Sequence, residues 1–224
     1  MAVRLEVWGD YALFTRPDLK AERMSYDVMT PSAAIGILEA IYWHPGIRYV
    51  IDGISVMSPI RKMCITRNEV KSVADGKKAY RVMAGRSTDP GCIYTGEDIQ
   101  QRTSVILKDV HYVIDAHFDL VPSGMHPQDN ANKFQAILSR RISKGACFKI
   151  PYFGCREFSV SFQHYTGEDI LCPDELKGEK DLGYMLYDMD YSDQENIKPM
   201  YFRAVMVDGH IRVPGRDSEE VIRW

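Results

Sequence analysis

His117 stands between two carboxylates at alternate positions, Asp115 and Asp119. In an extended strand these three side chains share one face. Neighbouring carboxylates favour the imidazolium and push its titration upward, toward the working range of a general acid or base. The same spacing also suits a structural strand histidine hydrogen-bonded to a neighbouring aspartate. A third reading takes His111, Asp115 and His117 as metal ligands. All three come from one strand and nothing elsewhere complements them, so no metal is expected. A second set lies in Ile41-Tyr42-Trp43-His44-Pro45. Tyr42 offers a phenolic proton donor or acceptor there, and Trp43 a ring able to stack on a base. The competing reading is plain aromatic packing at a helix end. Arg140, Arg141 and Lys144 fall within about one helical turn, which suits a phosphate and equally a solvated helix face. Phosphate-binding glycine loops, a Walker sequence, a G-x-S-x-G elbow and H-E-x-x-H are absent from the sequence. No cofactor is therefore expected.

Charge along the chain says more than its total of −3. Eight Lys or Arg against two acids lie between Arg61 and Arg86, and five against none between Phe134 and Arg156. Ten acids against two lysines follow between Glu168 and Glu195. Basic stretches of this kind suit a polyanionic backbone, with Arg61, Lys62 and Arg67 from the first and Lys149 and Arg156 from the second as further candidate contacts. Five cysteines, at 64, 92, 147, 155 and 172, form no C-x-x-C pair. Their odd number argues against a disulfide framework, and their spacing against a zinc ribbon. No apolar run reaches the roughly 18–20 residues of a membrane span, and the start lacks the pattern of a signal peptide. A soluble, reduced, cytoplasmic protein without a membrane partner is the expectation.

The elements that must position these residues can be read from periodicity. Val3, Leu5 and Val7 alternate in a first strand. Thr30 as N-cap and Pro31 at the first helical position open a helix that runs through Ala33 to Trp43 and is apolar nearly all round. Ile47, Tyr49 and Ile51 alternate in a second strand, and Asp52-Gly53 reads as a turn. Residues 57–104, turn-rich around Ser87-Thr88-Asp89-Pro90-Gly91, read as an irregular insertion or long hairpin. Val105 to Val121 is the longest strand. Val110, Tyr112, Ile114, Ala116, Phe118 and Leu120 lie on one face, with His111, Asp115, His117 and Asp119 on the other. Asp129 or Asn130 caps a second helix, buried through Phe134, Ile137, Leu138 and Ile142 and ended by Gly145. A fourth strand follows through Phe158, Val160 and Phe162. Runs at 184–191, 200–207 and 211–213 then form a small antiparallel sheet. The fold class is α+β. A ferredoxin-like (RRM-like) βαββαβ domain spans 1–165, with the insertion at about 57–104, and a small antiparallel β domain spans 166–224.

Several stretches occur together and in order: RLEVWGDYALFTRP at 4–17, SYDVMTPSAAIGILEAIYWHP at 25–45, VILKDVHYVIDAHFDL at 105–120, GCREF at 154–158 and DLGYMLYDMDY at 181–191. They resemble the type I-C CRISPR pre-crRNA-processing proteins, the "d" subtype of the fifth Cas family in the repeat-associated RNA-binding superfamily. The resemblance spans nearly the whole chain. It implies a metal-independent endoribonuclease that cuts the CRISPR repeat at the base of its stem-loop. The enzyme would then keep the 5′ handle and join the backbone and large subunits of a surveillance complex. It also implies a catalytic tyrosine, histidine and lysine. Tyr42 and His117 fall at the first two positions. The lysine departs from the pattern, because 115 and 116 are Asp and Ala. Lys108 is the nearest upstream lysine on that run, and His44 occupies a slot often filled by lysine and joins the expected RNA contacts. The competing expectation is a non-catalytic subunit that only binds the RNA handle. Double-stranded DNA is left open as a second target.

Overall fold

The computed structural model describes residues 2–19, 21–88, 91–193 and 195–223. Its strands are β1 (Ala2–Ala12), β2 (Ile47–Val56), β3 (Arg61–Val70), β4 (Ile99–Leu120), β5 (Ser161–His164), β6 (Glu179–Asp190), β7 (Lys198–Val207), β8 (His210–Arg212) and β9 (Val221–Arg223). Its α-helices are α1 (Pro31–Ile41), α2 (Gly76–Met83) and α3 (Ala131–Ser143). All nine strands join one antiparallel sheet in the order β5-β1-β4-β2-β8-β7-β6, with β3 on β4 and β9 on β7. The class is therefore mixed α and β, dominated by an antiparallel sheet. Among the described residues no helix is long and apolar enough to cross a membrane.

The helices form where local chemistry starts them. Thr30 accepts the Ala33 N–H at 3.2 Å and Pro31 follows. Asn130, rather than Asp129, accepts the Lys133 N–H at 2.9 Å at the start of α3. Gly145, at φ +60°, lies just beyond the α3 end. Helix α1 stops at Ile41, two residues before the expected Trp43, because Tyr42 is extended. It buries Ala34, Ile37, Leu38 and Ile41, and α3 buries Phe134, Leu138 and Ile142. Strand β4 meets these helices with Val110, Tyr112, Ile114, Ala116 and Phe118, all nearly inaccessible, whereas Leu120, expected on the same face, is exposed at the end of the strand. The Phe118 ring lies 6.5 Å from that of Phe134 on α3. Alternation then turns His111, Asp115 and His117 to the opposite face.

Three expectations need correction. Asp52-Gly53 is a bulge and not a turn: the register slips between Ile51 and Gly53 while β2 continues to Val56. Ile54 and Val56 carry the strand on because both bury against the core. Residues 57–104 are mostly regular. β3 pairs along the first half of β4 as a ladder, and α2, capped by Asp75 and burying nothing, sits between the two strands. Asp89 and Pro90 of the expected turn lie outside the described residues. The C-terminal strands do not form a separate sheet: β8 bonds to both β2 and β7, carrying the sheet across the 165/166 boundary. One buried cluster spans both parts, from Val3 to Val221.

Candidate active site and basic surface

His117 sits near the end of β4, opposite Val50 of β2. Its Nδ1 lies 2.8 and 2.9 Å from the two carboxylate oxygens of Asp52, the extra residue of the bulge. Asp115, expected as its neighbour, is instead paired with Arg4 of β1 at 2.7 Å. Asp119 is nearer, with its Oδ1 3.8 Å from His117 Nε2, and its other oxygen binds Arg48 at 3.3 Å. Asp52 and Arg48 are thus members of the cluster that the linear sequence does not disclose, since Asp52 reaches His117, and Arg48 reaches Asp119, across the strand pair. With Nδ1–H donated to Asp52, Nε2 keeps its lone pair for a proton. A carboxylate that fixes the tautomer of a histidine is the arrangement that prepares an imidazole as a base. His111, on the same strand, is engaged elsewhere, its Nε2 2.8 Å from Glu6. Among the described residues no three His, Cys, Asp or Glu side chains cluster as a metal site.

Tyr42 is on the other side of the sheet. Its carbonyl accepts the Tyr49 hydroxyl at 2.7 Å, and Tyr49 packs with Phe118 on the helix face. The Arg141 guanidinium lies over the Tyr42 ring, 5.3 Å from its centroid, and burial raises the phenol's pKa. His44 follows it. Its Nδ1 accepts the Gly46 N–H at 3.0 Å, leaving Nε2 to carry the neutral ring's proton, 3.7 Å from Asp129. Lys108 lies nine positions before His117 on one extended strand, about 30 Å away by strand geometry. The expected trio of Tyr42, His117 and Lys108 is therefore not gathered around one point.

The basic residues divide into two groups. Arg61, Lys62 and Arg67 are occupied by Asp109, Asp27 and Glu157, and Lys108 also reaches Asp109. Arg140, Lys144, Lys149 and Arg156 are exposed and have no ion-pair partner among the described residues. Three of these four lie at or just beyond the end of α3, next to Arg141. Lys71, Lys77, Arg81 and Arg86 around α2 are likewise exposed without an ion-pair partner among the described residues, so uncompensated cations lie in both basic stretches.

A family model described as CRISPR-associated protein (Cas_Cas5) matches residues 2–214. The protein named CRISPR pre-crRNA endoribonuclease Cas5d from Mannheimia succiniciproducens is 42% identical over 224 residues, covering 99% of this chain and 98% of its own. A protein of the same name from Thermus thermophilus is 35% identical over 238 residues, covering 99% and 95%. A crystal structure described as a CRISPR-associated protein superposes with a TM-score of 0.70 at 23% identity, over 99% of this chain and 96% of that one. At that identity the likeness speaks for the fold.

Proposed function

The chain belongs to the Cas5d family of CRISPR-associated proteins, and from that membership we infer that it is a CRISPR pre-crRNA endoribonuclease, as its curated relatives are named. In this proposal the 2′-hydroxyl beside the scissile phosphate attacks, leaving a 2′,3′-cyclic phosphate and a 5′-hydroxyl, with no metal. His117 Nε2 takes the 2′ proton, Asp52 holds the ring, Arg48 faces the developing phosphorane charge, and solvent water gives the leaving 5′ oxygen its proton. The single observation that supports this role is the Asp52 contact at 2.8 Å on Nδ1, which leaves Nε2 with only Asp119 Oδ1 near it, at 3.8 Å and beyond hydrogen-bond distance. Lys108, far along the strand, serves as a backbone contact in this reading.

A second assignment places the chemistry at Tyr42. It is favoured by the cations beside that phenol, Arg141 over its ring and Lys133 nearby. Arg140, Lys144, Lys149 and Arg156 carry the stem-loop and 5′ handle of the RNA, and double-stranded DNA is a second ligand of the same cations. After cleavage the protein stays on the handle within the cytoplasmic type I-C complex, against its backbone and large subunits. The ferredoxin-like reading of residues 1–165 is supported by the strand order β5-β1-β4-β2, and 166–224 is the added antiparallel part.

The test is incubation with the chain's own repeat RNA in EDTA, with and without a 2′-deoxyribose before the cut. Cleavage in EDTA that the deoxy substitution abolishes is expected. Activity that needs magnesium or manganese would sink the metal-free route. Tight binding without any cleavage would leave the handle-binding subunit as the better account.

A further inference from the structure

The end of α1 has no glycine cap. Its last carbonyls are taken up by a neighbouring segment: Ala40 O accepts the N–H groups of Phe148 and Lys149 at 2.8 and 3.0 Å, and Ile41 O accepts Arg141 Nη1 at 2.8 Å. This stitching holds the chain after α3 against the end of α1 and fixes what faces outward. Phe148 is 69% exposed and Trp43 57% exposed, although both are large apolar rings. A depression of about 390 Å³ opens beside Phe148, lined by Arg140, Arg141, Lys144, Ala146, Cys147 and Phe148. No acid occurs anywhere from Phe134 to Arg156. An exposed ring beside uncompensated cations supplies the two parts of a single-strand binding site, one for the base and one for the phosphate.

We propose that this depression is a subsite for one unpaired nucleotide of the bound RNA, its base stacked on Phe148 and its phosphate held by Arg140 and Lys144. The proposal rests on the RNA-processing reading above and adds where a flanking, unstacked nucleotide goes. A paired stem keeps its bases stacked inside the duplex, so the ring at the rim selects for the single-stranded side of the stem. Lys149, whose ammonium lies 5.7 Å from the Phe148 ring centroid, adds a cation at the same edge. The volume sits at the low end for a small-ligand pocket, which limits the site to one nucleotide.

The experiment uses the full chain and its own repeat RNA with 2-aminopurine placed in turn at each unpaired position flanking the stem. Fluorescence quenching on binding is expected at one position. It should vanish in Phe148→Ala and survive in Phe148→Trp. Arg140→Ala with Lys144→Ala should weaken affinity roughly 10–100-fold and reduce the salt slope by about one phosphate's worth. Phe148 is exposed, so its truncation opens no cavity, and an unchanged melting temperature checks this. Identical quenching by wild type and Phe148→Ala would overturn the stacking subsite while leaving RNA binding intact. Loss of affinity in the double variant without any effect of Phe148→Ala would reduce the site to a phosphate contact and also overturn it. Failure of the wild type to bind the repeat would instead remove the reading on which the subsite rests. Unaltered quenching combined with lost association with the other complex subunits would make the patch a protein-docking surface.

Discussion

If His117 is the base and Asp52 its orienting partner, the two act through one imidazole ring and their losses must not add. His117→Ala removes the acceptor altogether and should slow cleavage roughly 10²–10⁴-fold, the range of one general base. That corresponds to about 3–5 kcal/mol of barrier. Asp52→Ala keeps the imidazole and frees it to rotate or change tautomer, so its effect should be smaller than that of His117→Ala. The double variant should be no slower than His117→Ala alone, because no oriented base is left to disturb. Stability should barely respond. The His117 and Asp52 side chains are 36% and 49% exposed, so solvent screens the pair to about 0–1 kcal/mol. In a chain of this size that is a shift of less than about 4 °C in melting temperature. Neither side chain faces the packed helices, so no cavity forms. The assay is single-turnover cleavage of the repeat RNA in EDTA, resolved on denaturing gels, with thermal melts of each variant. A wild-type rate in His117→Ala refutes the base. A double variant slower than His117→Ala by a further tenfold refutes the coupling.

Tyr42→Phe removes only a hydroxyl on the far side of the sheet from His117 and should change the rate by less than about threefold. A hundredfold loss would move the chemistry to the Tyr42 side. Asp129 is held below the usual carboxylate range by Lys133 and by the His126 N–H. Its contribution is therefore present above the unfolded value near 3.9 and lost as pH falls through the folded value. Asp129→Asn should be less stable at neutral pH, with the gap closing below about pH 4 in urea titrations; a gap that persists in acid would contradict this. Gly154 has φ +77°, and a methyl there would sit 1.9 Å from the Leu13 carbonyl oxygen, whereas the space at Gly145 is open. Gly145→Ala should cost about 1–2 kcal/mol of left-handed strain, and Gly154→Ala well over 3 kcal/mol because backbone must move. Equal denaturation midpoints for the two would refute the packing argument.

The parts of this fold that were legible in the sequence are those set by neighbours in the chain. Thr30-Pro31 opens α1, and the alternation of Val110 to Phe118 assigns the two faces of β4 correctly. What escaped was decided across strands. Asp52-Gly53 has the same composition as a hairpin turn, and only the pairing of Ile54 and Val56 with β4 and β8 makes it a bulge. The partner of His117 is 65 residues away in sequence, so Asp115 and Asp119 looked closer. Arg4 then takes Asp115 from the neighbouring strand. Helix α2 buries nothing, so no apolar stripe announced it. Charge runs showed where cations lie, but not that Lys62 and Arg67 spend theirs on Asp27 and Glu157 while the end of α3 does not.

The place of β8 in the sheet also sets a timetable for the newborn chain. Strand β2 needs β4 on one edge and β8 on the other, and β8 begins at His210. A ribosome adding 5–20 residues each second takes roughly 8–30 seconds to travel from the end of β2 to that point. Throughout that interval Gly53 to Ser55 present free N–H and C=O groups along an edge that includes the apolar Ile54. Mistranslated or prematurely terminated chains that stop before residue 210 keep that edge open permanently. An open edge of that kind is a template for strand-to-strand aggregation.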